Sequence, residues 1–142
     1  MTIVLEHIHD RLPTDFKKLE RDARAEGHTN MTRLSSEFAE TPAMYHHVIA
    51  AYLGDDLAGI GAITDEPAST GQPMWRMRRL YVHRNFRRRG VANAIAGVLL
   101  QAAGQKVRFV TVHAGSNDAA SFWESMGFGR VAGRGWSHQR QL

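Results

Sequence analysis

The chain has 142 residues, 43% of them hydrophobic and 23% charged, the balance of one globular domain with a core of its own and not of a disordered chain. No stretch approaches the roughly 18 uninterrupted apolar residues of a membrane helix, and cysteine is absent, which excludes disulfides, thiolate nucleophiles and cysteine-held metal. The formal net charge of +4 points to an anionic partner without naming one, since nucleic acid, an anionic surface and a polyphosphate all satisfy it.

The opening residues Met1-Thr2-Ile3-Val4-Leu5-Glu6-His7 lack a basic region followed by a long apolar run. With the missing cysteines this leads us to expect a cytoplasmic protein without a secretory leader. Ile3-Val4-Leu5 reads as a short strand. Pro13-Thr14-Asp15 is a helix start, and Phe16, Leu19 and Ala23 recur at helical spacing until Gly27. A second helix is expected after Thr29-Asn30, with Met31, Leu34 and Phe38 on one face, and Pro42 closes it. Val48–Leu53 and Leu57–Ile63 flank the turn Gly54-Asp55-Asp56 and predict a hairpin. Gly59 and Gly61 weaken the second strand or mark a bulge. Asp65 to Pro73 reads as a surface loop.

The second half is more regular. Met77–Val82 is a strand, followed by a basic turn from Phe86 to Gly90. Val91, Ala94, Ile95, Val98, Leu99 and Ala102 then form one apolar helical stripe. Val107–Val112 is a β-branched strand. Ser116 or Asn117 caps a last helix carrying Ala120, Phe122, Trp123 and Met126, which Gly127 stops. The strand–helix–strand–helix order requires a parallel pair with a right-handed crossover. No repeat or internal boundary divides residues 1–142, so a single domain is expected.

Chemistry concentrates in Arg87-Arg88-Arg89-Gly90-Val91-Ala92, between a strand and a helix start. A helix N-terminus leaves about four N–H groups without partners and carries partial positive charge. Gly90 and Ala92 keep that backbone accessible, and arginines add charge-assisted hydrogen bonds, so a pyrophosphate fits. A solvated basic turn fits the same run read in isolation.

The context favours the first reading. The run matches Arg/Gln-x-x-Gly-x-Gly/Ala directly after Arg78-Arg79-Leu80-Tyr81-Val82. It resembles the coenzyme-A-binding motif of the GNAT N-acetyltransferase superfamily. Downstream, Ser116-Asn117-Asp118-Ala119-Ala120-Ser121-Phe122-Trp123-Glu124-Ser125-Met126-Gly127-Phe128 is similar to the family's later helix, Asn-x-x-Ala-x-x-Phe-Tyr-x-x-x-Gly-Phe. The resemblance covers roughly residues 75 to 128. It implies an α/β fold with a mixed, mostly antiparallel central sheet flanked by helices, splayed at a parallel pair to admit acetyl-coenzyme A. It further implies that backbone groups of Leu80 and Val82, with Tyr81 between them, hold the pantetheine arm. The turn Arg88, Arg89, Gly90, Val91 and Ala92 would hold the pyrophosphate, with Arg87 nearby. Ser116 and Asn117 would flank the arm, and Trp123 would approach the sulfur.

Two departures from the family pattern bear on catalysis. Trp123 stands where a Tyr commonly protonates the departing thiolate, and an indole is no usable acid; it packs on the arm, donates to the sulfur or belongs to the core. Arg76 stands where many relatives carry a Glu that relays the proton of the amine. The amine must still lose a proton, and histidine suits that task near neutral pH. His113, ending a strand beside Ser116-Asn117, is the candidate; His138 is a second. The pairs His7/His9 and His46/His47 lack the spacing and acids of a metal site, so no metal is expected. Alternate strand residues face opposite sides, so Arg76 and Arg78 should share one face and Arg79 the other. Arg76 either faces an acidic acceptor or pairs with an acid such as Glu66.

Three functions follow for testing. The resemblance implies acetyl transfer from acetyl-coenzyme A to an amine of a small molecule or peptide. A coenzyme A sensor without catalysis, and a basic nucleic-acid module, are the alternatives. The arginines sit at one turn, not along an exposed helical face, so neither nucleic acid nor membrane is expected as a partner. Homodimers are common among similar proteins.

Overall fold

The computed structural model describes residues 2–68 and 71–142, so Ser69 and Thr70 of the expected loop lie outside the described residues. Seven strands form one sheet: β1 (Ile3–His7), β2 (Tyr45–Leu53), β3 (Asp56–Asp65), β4 (Trp75–Val82), β5 (Phe109–Val112), β6 (Gly129–Arg130) and β7 (His138–Gln141). Their order is β1-β2-β3-β4-β5-β7-β6, and every neighbouring pair is antiparallel except β4–β5. The helices are α1 (Phe16–Ala25), α2 (Asn30–Glu40), α3 (Val91–Gly104) and α4 (Asn117–Ser125). This is the expected mixed sheet with its one parallel pair. None of the helices is long and apolar enough to cross a membrane, among the described residues.

Two apolar layers fix the sandwich. Phe16, Leu19 and Ala23 of α1 and Met31, Leu34 and Phe38 of α2 are buried against Val48, Ala50, Ile60 and Ala62. On the other face Ile95, Leu99 and Ala103 of α3 pack with Trp123 of α4 against Ile49, Ile63, Trp75 and Met77. The spacing of about 3.6 residues per turn places each stripe on its inward side.

The strands run longer than the apolar runs. β2 begins at Tyr45 and β4 at Trp75, because the backbone ladder continues through polar positions. β5 starts only at Phe109, and Val107 is instead held by an N–H to the Ala103 carbonyl at 2.8 Å. β6 and β7 have no counterpart in the sequence reading.

Arg79 stands in the left-handed region at φ 57°. Ile60 pairs with Tyr81 and Ala62 with Arg78, so Gly61 alone opposes Arg79 and Leu80. This is a β-bulge, placed in β4 and not in the glycine-bearing strand. The bulge also corrects the expected alternation: Arg79 turns to the α2 side, together with Arg76 and Arg78.

Gly61 serves close approach. A Cβ there would lie 2.7 Å from Cγ2 of Ile95 and 3.1 Å from Cδ1 of Leu80. Ile95 is fully buried and has nowhere to retreat. Gly61→Ala is therefore expected to cost about 1–3 kcal/mol, the usual range for overpacking, read from chemical denaturation.

Candidate active site

β4 and β5 pair only at Trp75–Val110 and Arg76–Thr111. Beyond that point β4 runs on to Val82 while β5 ends at Val112, so one side of β4 opens. His83 donates its N–H to Ala58 O of β3 at 2.8 Å. Backbone direction alternates along a strand, so Tyr81 turns toward β3, and Leu80 and Val82 turn to the opening. Their carbonyls confirm it: Leu80 O accepts from Asn30 Nδ2 at 3.0 Å, and Val82 O from Arg87 Nε at 3.1 Å.

The opening is a cleft of about 430 Å³ bordered by Leu80, Tyr81, Val82, Arg87, Ala92, Ser116, Ala119, Phe122 and Trp123, with His28 and Asn30 from the α1–α2 connection. Val82, Arg87, Ala92 and Phe122 also border a second cavity of about 370 Å³ that reaches Arg88, Gly90 and Val91. The two make one groove, from the α1–α2 connection to the start of α3.

At its outer end Arg88 (φ 62°) and Gly90 (φ 81°) are both left-handed. Such a turn aims successive N–H groups outward as an anion-binding concavity, and Gly90 is the N-cap of α3. A non-glycine residue held at φ 62° is uncommon, and only the turn explains it here. Arg89 lies with its guanidinium 6.0 Å over the Phe86 ring. At the start of α4 the Ser116 hydroxyl accepts from Ala119 N at 3.1 Å. Asn117 begins that helix but does not border the groove, where Asp118 does.

Arg87 is turned into the cleft. Its Nη2 lies 2.6 Å from Glu26 Oε1, and its guanidinium stands 5.7 Å from the Tyr81 ring centre. The Tyr81 hydroxyl also donates to Glu26. That bond first, and Arg87 after it, hold the Glu26 carboxyl below the ordinary carboxylate range. Burial, then the Glu26 bond, pushes the Tyr81 phenol upward.

The histidines are redistributed. His113 is exposed just past β5 and does not border the groove. His138 is 2% exposed, with Nε2 2.8 Å from Glu124 Oε2 and Nδ1 2.8 Å from Ser137 Oγ. His28 borders the cleft, its ring centre 5.9 Å from that of Tyr81. The sequence carries no signal for it, because a helix–helix connection is brought to β4 only by tertiary packing. Trp123, 5% exposed, packs edge-on against Phe122 and Phe128 and still forms part of the cleft wall. His7, His9 and His47 approach one another with ring centres about 6 Å apart, yet no three metal-ligating groups converge among the described residues.

Arg76, Arg79 and Arg87 are tied to Glu66, Glu37 and Glu26. Arg76 thus takes its pairing alternative, at 3.4 Å from a Glu66 whose side chain is wholly buried. Arg79 grips Glu37 with two bonds of 2.9 Å, and this pair holds the Glu37 carboxyl below its ordinary range. A depressed carboxylate stabilises the fold above its unfolded pKa of about 4.3, and loses that contribution as pH falls through the folded value. Glu37→Gln is expected to cost about 1–3 kcal/mol at neutral pH by leaving Arg79 unsatisfied. It should also flatten the acid limb of the melting temperature.

The sheet is thus splayed at its one parallel pair, with a left-handed turn at the mouth of the groove. The chain belongs to the acetyltransferase (GNAT) family, whose model matches residues 7–128. The match reaches well upstream of the motifs, into the helices and hairpin. Solved structures share the fold over nearly the whole chain. A candidate acetyltransferase from Exiguobacterium sp. 255-15 superposes with a TM-score of 0.85 at 19% identity, covering 99% of this chain and 94% of that one. The NatC complex bound to Gag peptide and CoA gives 0.75 at 16%, covering 100% and 99%. Ard1 from Thermoplasma volcanium gives 0.74 at 15%, covering 100% and 99%. No curated protein sequence matches the chain.

Proposed function

We propose that the protein transfers the acetyl group of acetyl-coenzyme A to a primary amine of a small molecule or peptide. The observation that carries this reading is the continuous groove from His28 to Gly90 along the open edge of β4. Its parts fit the coenzyme. The Arg88–Ala92 turn offers N–H groups and positive charge to a pyrophosphate, and Leu80 and Val82 offer a strand edge that no neighbouring strand covers to the pantetheine amides. Trp123 and Phe122 supply an apolar wall for the arm. When bound, acetyl-coenzyme A supplies a thioester whose acetyl carbon passes to the amine nitrogen, with coenzyme A leaving as the thiol.

The remaining work falls to the chain. Groove and acceptor pocket hold the reacting atoms together, a contribution of about 7–11 kcal/mol in well-oriented systems. Among the described residues His28 is the histidine that borders the cleft, and we assign it, in place of His113, the proton that the acceptor's ammonium must lose before the amine attacks. A neutral imidazole has a ring nitrogen that can accept that proton and suits the role. No tyrosine stands at position 123, so the thiolate leaves without a phenolic acid there; a thiolate is a good leaving group. The test is thiol release from acetyl-coenzyme A across a broad amine panel, with mass spectrometry of the products. Amine-dependent release with an acetylated amine is expected. Tight coenzyme binding without turnover on any amine would select the sensor reading instead.

A further inference from the structure

Arg78 is the one arginine on the α2 side of β4 without a carboxylate partner among the described residues. Its Nε donates to Thr64 Oγ1 at 2.9 Å, and neither terminal nitrogen bonds to the described residues. The side chain is half-buried. Burial first, then the charges of Arg76 and Arg79, depresses its guanidinium pKa. On this face three arginines meet two carboxylates, Glu37 and Glu66, which leaves one positive charge. Both neighbours are committed: Glu37 to Arg79 and Tyr45, and Glu66 to Arg76, Thr111 and the Ala68 N–H.

We infer that Arg78 is the anchor for a carboxylate carried by the acceptor, so that the preferred substrate is an amine bearing a carboxyl group. This rests on the acetyl-transfer reading and names the substrate class of the same site. Position supports it. Arg78 lies two residues before Leu80 on β4, with the bulge at Arg79 between them. Arg78 lies outside the lining of the cleft, so an acceptor whose amine reaches the Leu80 edge from the α2 side extends past that lining to bring its carboxylate to Arg78. The free end of the guanidinium presents two N–H donors in a plane, the fork that a carboxylate accepts. One unbalanced charge suits a monoanion better than a phosphate dianion. Polyamines and other polycations are repelled by the same charge.

The experiment compares L-amino acids with their α-carboxamides, using wild type, Arg78→Gln and Arg78→Lys. Turnover should favour the carboxylate acceptors at least tenfold in kcat/KM. Arg78→Gln should erase that preference by raising KM for them at least tenfold, with KM for acetyl-coenzyme A unchanged and Arg78→Lys intermediate. A second arm needs no catalysis: N-acetyl amino acids and N-acetyl carboxamides are titrated calorimetrically into the protein with coenzyme A present. Tenfold tighter carboxylate binding in wild type, and parity in Arg78→Gln, is the expected result. Equal binding of both series by wild type, or a preference that survives in Arg78→Gln, overturns the inference. Thiol release without carboxylate preference would leave acetyl transfer standing and remove Arg78 alone. Carboxylate preference in binding without any thiol release would do the reverse.

Discussion

His28→Ala is expected to lower kcat by about 100-fold or more, the usual size of a lost general base, while leaving coenzyme affinity unchanged. His28 is exposed in the α1–α2 connection and its side chain forms no hydrogen bond among the described residues, so its removal should hardly disturb the fold. The pH–rate profile separates a base from a packing residue. Wild-type kcat/KM should rise with pH and level off, and the variant should lose that step. His113→Ala is the matched control, since His113 lies outside the groove border, and it should keep wild-type turnover. A large loss in His113→Ala with none in His28→Ala would return the role to the strand-end histidine.

Gly90→Val should abolish the rise in melting temperature that acetyl-coenzyme A produces. A ligand at 100 times its Kd stabilises the fold by about 2.7 kcal/mol, several degrees for a chain of this size. The space at Gly90 is not the issue, because a Cβ there meets only Cδ1 of Ile3, at 3.9 Å. The backbone is: at φ 81° a β-branched residue is strained by roughly 1–2 kcal/mol and relaxes by moving the N–H groups that form the nest. The free protein should therefore remain folded with a modestly lower melting temperature. An undiminished coenzyme response would show that the phosphates bind elsewhere.

Much of the fold was legible in the residues because its driving pattern is local. Phe16, Leu19 and Ala23, and Met31, Leu34 and Phe38, recur at helical spacing, and all six are buried. The turn before α3 was legible for a similar reason, since Gly90 and the arginines before it are consecutive residues. β7 was not, because His-Gln-Arg-Gln shows no alternation of apolar and polar residues; it is held by pairing with β5 and by buried His138. The bulge at Arg79 was also hidden. An arginine carries no signature for a left-handed backbone, and the cause lies across the ladder at Gly61. His28 and Asn30 reach the cleft, and Glu26 reaches Tyr81 and Arg87, only through packing of α1 and α2 on β4, so no spacing rule connects them with Leu80.

The central claim is that the open edge of β4 and the Arg88–Ala92 turn hold coenzyme A. Amide hydrogen exchange measured residue by residue, with and without coenzyme A, tests it most directly. Leu80 and Val82 N–H face the opening and should exchange quickly in the free protein. On addition of coenzyme A both should become protected, together with the amides from Arg88 to Ala92, while Tyr81, already turned to β3, changes little. Protection confined to another surface, or unchanged exchange at Leu80 and Val82 under saturating coenzyme A, would contradict the account.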